Sequence, residues 1–136
     1  MYEGDFYCKM FSQLPQKSAF KLNKHIKSLI ISSNSCNAVN MDELDLSKYP
    51  SLEHVFIGDN SYSYVSNITI SDNDNLQSIE IGKNSFTQFK NGFGMDKNKY
   101  LSIRNCTLLQ KLVIGQYSFS DFASFSVSSI TPILSL

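Results

Sequence analysis

From Ile26 onward, apolar and polar residues alternate in a pattern that returns four times: IKSLIISSNSC at 26–36, LEHVFIGDNSY at 52–62, LQSIEIGKNSF at 76–86 and LQKLVIGQYSF at 109–119. Positions one, four and six of each unit are aliphatic: Ile26, Leu29 and Ile31; Leu52, Val55 and Ile57; Leu76, Ile79 and Ile81; Leu109, Leu112 and Ile114. Side chains two apart on a strand share a face. The pattern therefore predicts one short strand per unit, with positions four and six pointing inward and position one turning in from the preceding bend. A second apolar pair stands eight residues before each following unit: Leu44 and Leu46, Ile68 and Ile70, Leu101 and Ile103, then Phe125 and Val127 ahead of Ile133. The tail from Ile133 to Leu136 fits the first four positions of a fifth unit.

One such unit cannot bury its own apolar row, but stacked units bury it continuously. The expected sheet is parallel, with neighbouring strands about 4.8 Å apart. Gly58, Gly82 and Gly115 occupy position seven, where a glycine relaxes the backbone at a strand end. Asn34, Asn60 and Asn84 occupy position nine, and asparagine bonds nearby backbone groups in bends. Stacking predicts from these three a structural ladder of buried amides, weakened at the last full unit by Tyr117.

The arrangement L-x-x-L-x-L-x-x-N/C-x-L, with an aromatic favoured at the last place, resembles the leucine-rich repeat family. The IG-x-x-SF ending and the second strand are similar to the diverged repeats of protist and BspA-like proteins. The resemblance covers residues 26–136. It implies a leucine-rich repeat solenoid: mainly β, with stacked parallel strands in a right-handed superhelix and little helix. It also implies a non-enzymatic role in recognition, in a family that spans surface adhesins and intracellular adaptors. Residues 1–25 match poorly and are read as an N-terminal flank or cap, with Phe20-x-Leu22 as a remnant of an earlier coil. Solenoids need polar caps, whereas the last residues, ITPILSL, are apolar. Either the chain is a fragment of a longer array, the reading preferred here, or this end self-associates through Ile133, Leu134 and Leu136.

Composition narrows the function class. Twelve basic residues balance twelve acidic ones without a charge run, which argues against nucleic acid as a partner. No apolar run reaches the length of a membrane span. No basic segment followed by an apolar one opens the chain, so no signal peptide is read and a cytoplasmic location is slightly favoured. The sequons at Asn67 and Asn105 would matter only in a secreted protein. Cys8, Cys36 and Cys106 make no disulfide framework. Cys36 is an inward core position. Two rungs would put it about 10 Å from Cys106, beyond the roughly 7 Å that a disulfide spans.

No catalytic constellation, cofactor motif or metal-ligand spacing is visible around His25, His54 or the cysteines. The turn SDNDN at 71–75 lacks the glycine and distant glutamate of a calcium loop and reads as solvated. The outward positions three and five remain. They place Ser28, His54, Ser78 and Lys111 in one column and Ile30, Phe56, Glu80 and Val113 in another. Exposed apolar and aromatic side chains mark contact surfaces, although strands favour the same residues for packing alone. The second strands expose Asp45, Thr69, Ser102 and Ser126, a polar column. Repeat starts are spaced by 26, 24 and 33 residues, and the excess falls in a loop at 90–99 that carries Phe93 and Met95 as candidate anchors. The expected function is thus a protein-binding scaffold with an unidentified protein partner. The alternative is a structural or cell-surface repeat segment with no single partner.

Overall fold

A computed structural model describes residues 24–39, 41–88 and 94–128. The expected cap around Phe20 and Leu22 and the apolar tail with Ile133, Leu134 and Leu136 lie outside the described residues. The regular structure is almost entirely β. The strands are β1 (Ser28–Ile31), β2 (Glu43–Asp45), β3 (His54–Ile57), β4 (Asn67–Ser71), β5 (Ser78–Ile81), β6 (Asp96–Arg104), β7 (Lys111–Ile114) and β8 (Phe122–Ser128). A single 3-10 turn, Leu46–Lys48, is the only helical element among the described residues. Odd-numbered strands form one parallel four-stranded sheet in the order β1-β3-β5-β7, and even-numbered strands form a second in the order β2-β4-β6-β8. Successive strands thus alternate between the sheets, and each pair adds one strand to both.

The period-two pattern decides which side chains point inward. Leu29, Ile31, Val55, Ile57, Ile79, Ile81 and Leu112 from the first sheet join Leu44, Ile68, Ile70, Leu101 and Ile103 from the second in one hydrophobic cluster. Ile26, Leu52, Leu76 and Leu109 complete it from the bends before the odd strands. Position eleven adds an aromatic stack. Tyr62 lies 5.1 Å from Phe86 with rings 10° apart, and Phe86 lies 4.7 Å from Phe119 at 6°. Phe122 meets Phe119 edge-on at 5.0 Å.

Position nine does something other than expected. Asn34 and Asn60 are exposed and Asn84 is half-buried, so they form no ladder of buried amides. Their φ angles are 62°, 56° and 57°, and Tyr117 follows at 67°. Asparagine tolerates this left-handed conformation better than most residues, which explains its recurrence. The interior ladder is built one position later, by serine. The backbone N–H of Ser35 donates to Ser61 Oγ at 3.2 Å, that of Ser61 to Ser85 Oγ at 3.2 Å, and that of Ser85 to Ser118 Oγ at 3.0 Å. Each hydroxyl then donates to a carbonyl at position seven of the preceding unit: Ser61 to Ser32, Ser85 to Gly58 and Ser118 to Gly82. Among the described residues, the one fully buried side-chain amide sits elsewhere. Asn73, after β4, donates to the carbonyls of Leu46 at 2.9 Å and Tyr49 at 3.2 Å.

The glycines at position seven also have a different reason from relaxed φ. Their backbones pack against one another across units. A Cβ on Gly115 would lie 2.5 Å from the Gly82 carbonyl carbon, and one on Gly82 would lie 2.8 Å from that of Gly58.

Three further expectations need correction. The span 90–99 is not all loop, because β6 begins at Asp96 and already pairs with β8 there. Phe125 and Val127 lie in register with buried Leu101 and Ile103, yet they are 52% and 41% exposed. The inward direction is right, but among the described residues β8 is the outermost strand of its sheet and nothing further covers it. Finally, Cys36 is disulfide-bonded. Sequence spacing carries no information about which distant cysteine comes near. Cys106 is a buried thiol outside any disulfide, so no bond joins it to Cys36.

Candidate functional site

The two outward columns of the first sheet form as strict registers. Ser28 pairs with His54, His54 with Ser78 and Ser78 with Lys111; Ile30 pairs with Phe56, Phe56 with Glu80 and Glu80 with Val113. The six candidate contact residues of this face, Ile30, His54, Phe56, Glu80, Lys111 and Val113, are therefore brought together on adjacent strands. Parallel pairing without a bulge keeps them aligned, because position three faces position three and five faces five throughout.

Phe56 is 49% exposed at the middle of this surface. Ile30 and Val113 are half-buried. Glu80 and Lys111 lie diagonally across β5 and β7, with Nζ to Oε1 at 3.0 Å. Both are open to solvent, so screening keeps the pair weak. His54 Nδ1 and Ser78 Oγ are 2.7 Å apart. This hydrogen bond lies exposed on a strand and lacks the water exclusion of a reacting centre. The face thus offers an apolar half around Ile30 and Phe56 and a charged half around Glu80 and Lys111.

The second sheet presents Asp45, Thr69, Ser102 and Ser126 in register, with a parallel column of Glu43, Asn67, Tyr100 and Ser124. Asp45 serves its own strand end, where its Oδ1 accepts from the Ser47 backbone N–H at 3.0 Å and caps the 3-10 turn. Met95 is 77% exposed just before β6 and apart from the first-sheet columns, and Phe93 lies outside the described residues.

The SDNDN turn is held internally. Ser71 Oγ donates to Asp72 Oδ2 at 3.1 Å, and Asn105 Nδ2 donates to Asp72 Oδ1 at 3.2 Å. Among the described residues, no group of three His, Cys, Asp or Glu side chains is placed to hold a metal ion. Cys106 is buried behind this turn. Burial pushes its thiol above the ordinary range, Asp72 and Asp74 add to the shift, and a hydrogen bond from the Asn73 backbone opposes it.

Sequence reasoning missed one pair. Lys99 and Asp121 are almost wholly buried, and Nζ lies 2.6 Å from Oδ2. Neither is an apolar position of the repeat, so the hydrophobic pattern did not single them out. The serine ladder did leave a signal, since position ten is serine in all four units.

Among the described residues, no helix is long and apolar enough to cross a membrane. Comparison with known protein families, with curated proteins and with solved structures returned no match.

Proposed function

We propose that this chain is a leucine-rich-repeat solenoid that acts as a non-enzymatic protein-binding scaffold through the open face of its first sheet. The observation that carries the reading is Phe56. A large aromatic side chain, half exposed, sits at the middle of an ordered surface with Ile30 on one side and the Glu80–Lys111 pair on the other. Aromatic anchors near the centre of a patch dominate many interfaces, and charged neighbours set specificity. The alternation of strands between two parallel sheets and the recurrence of four units support the repeat assignment.

The test compares the native chain with Phe56→Asp and Thr69→Asp in affinity capture, after circular dichroism shows all three to be equally folded. A partner held by the native chain and by Thr69→Asp, but lost from Phe56→Asp, supports the first-sheet face. Equal retention by all three refutes it.

A second reading, a structural segment that works by self-association, draws on the exposed Phe125 and Val127 of β8. It expects concentration-dependent assembly in sedimentation velocity that a Phe125→Ser, Val127→Ser double variant abolishes.

A further inference from the structure

The buried Lys99–Asp121 pair is not explained by the proposed binding function. Lys99 enters the interior through an irregularity. From Asp96 to Tyr100, β6 advances four residues while β8 advances two, from Phe122 to Ser124. From Lys99, within the bulge, the inner face is taken by Lys99, Leu101 and Ile103 in alternation. The Lys99 and Asp121 side chains keep only 4% and 5% of their exposure. Asp121 Oδ2 receives Lys99 Nζ at 2.6 Å and the Gln88 backbone N–H at 3.3 Å. Asp121 Oδ1 is buried without a hydrogen-bond partner. A second carboxylate stands at the edge of the pair: Asp96 Oδ2 is 3.9 Å from Nζ, on a side chain 41% exposed. The aromatic rings of Phe119 and Phe122 flank Asp121 in sequence, and both are buried.

Two full charges held away from water need more compensation than one short contact gives, and the orphaned Oδ1 worsens the balance. The same setting favours a reaction between them. The amine and carboxyl groups are already in contact, which replaces an encounter with a fixed geometry. Exclusion of water removes the solvent that stabilises the ionised pair and would hydrolyse the product.

We propose that Lys99 and Asp121 condense spontaneously to an intramolecular isopeptide bond. Proton transfer from Nζ to Oδ2 gives a neutral amine and a neutral carboxylic acid. The nitrogen lone pair then attacks Asp121 Cγ, forming the C–N bond. Asp96 takes a proton from that nitrogen and returns it to the departing oxygen. The Cγ–O bond breaks and one water leaves. Ammonium plus carboxylate give amide plus water, so atoms and charge balance with no further reagent, and Asp96 is regenerated. The product covalently joins β6 to the turn that opens β8, the outermost described strand of the second sheet.

Intact-mass measurement of the purified, reduced full-length chain tests this directly. The expected mass is lower than the sequence mass by one water. A tryptic digest then yields a branched peptide joining the Lys99 and Asp121 segments, with no cleavage after Lys99. Lys99→Arg and Asp121→Ala should both restore the full sequence mass. Asp121→Asn should lose one ammonia instead of one water. Asp96→Ala should slow formation at least tenfold in a time course begun on freshly refolded chain. A native chain at its full sequence mass, with separate tryptic peptides, overturns the proposal and leaves an ordinary buried ion pair. A water loss that persists in Lys99→Arg overturns the assignment of the residue.

Discussion

Replacing Ser85 by alanine tests whether serine hydroxyls hold successive units together. Its Oγ accepts from the Ser61 backbone N–H at 3.2 Å and donates to the Gly58 carbonyl at 2.7 Å, with the side chain buried. The substitution removes little volume, so cavity formation contributes little. What remains is a buried donor and a buried acceptor that have lost the same partner, and each such loss costs about 1–3 kcal/mol. Some relief comes from backbone adjustment, which places the expected loss at about 2 kcal/mol. Ser35 provides the internal control. It occupies the same position in the first unit, but its Oγ makes only a 3.4 Å contact with the Ser33 carbonyl in an exposed setting. Ser35→Ala should therefore stay within about 0.5 kcal/mol of the native chain. Urea unfolding followed by circular dichroism gives both values, provided the m-values agree so that the difference reflects stability alone. If Ser85→Ala unfolds at the native midpoint, or the two variants lose equal stability, the ladder is incidental and the stacking argument fails.

Four other outcomes follow from the geometry. Phe86→Ala removes the middle ring of the Tyr62–Phe86–Phe119 stack and should cost about 3–5 kcal/mol in the same urea assay. Gly115→Ala forces a methyl to within 2.5 Å of the Gly82 backbone and should destabilise by about 1–3 kcal/mol, although alanine is the better residue in a free chain. A double-mutant cycle on the exposed Glu80–Lys111 pair should give a coupling below about 1 kcal/mol that shrinks further in high salt. Cys106 should react slowly with a thiol reagent until the chain unfolds. Because burial raises its pKa in the folded state, the folded chain holds the thiol proton to higher pH than the unfolded one. Its contribution to stability is thus intact below the ordinary thiol pKa and falls as pH rises through and above that range, which unfolding curves at alkaline pH would register.

The apolar skeleton was legible because burial imposes a period. Leu29 and Ile31, then Val55 and Ile57, had to share a face, and stacking placed Ile30 beside Phe56 from spacing alone. Polar chemistry between units follows the repeat as well, but its role cannot be read from the period. Serine at position ten recurs as plainly as the aliphatics, but nothing in the letter distinguishes a solvated turn serine from one bridging two backbones. Asparagine at position nine misled for the related reason that its side-chain bonding and its tolerance of positive φ predict the same residue. The bulge in β6, and with it the inward swing of Lys99, depends on how extra residues are absorbed across two strands. The spacing placed the excess at 90–99 but did not show that part of it would be taken up as a bulge within β6.

The division of labour between the two faces of the first sheet has a consequence for how binding could be tuned. Adhesion between units runs through positions four, six, seven, ten and eleven: aliphatic pairs, close glycine contacts, serine hydroxyls and stacked rings. Positions three and five add backbone to the parallel ladder, and their side chains point away from the core and meet across units only in solvent-exposed contacts, His54–Ser78 and Glu80–Lys111. The cost of changing them is therefore small and local, a few tenths of a kcal/mol for most surface substitutions. A surface freed in this way from stability constraints is expected to drift toward small polar residues if nothing uses it, and the second sheet carries such a register in Thr69, Ser102 and Ser126, beside the capping Asp45. The first sheet instead holds Ile30, Phe56 and Val113 in one register, with Glu80 between the last two. Strand propensity alone acts equally on both sheets and does not produce that difference. The contrast between two sheets of one chain is what makes the first the better place to look for a partner.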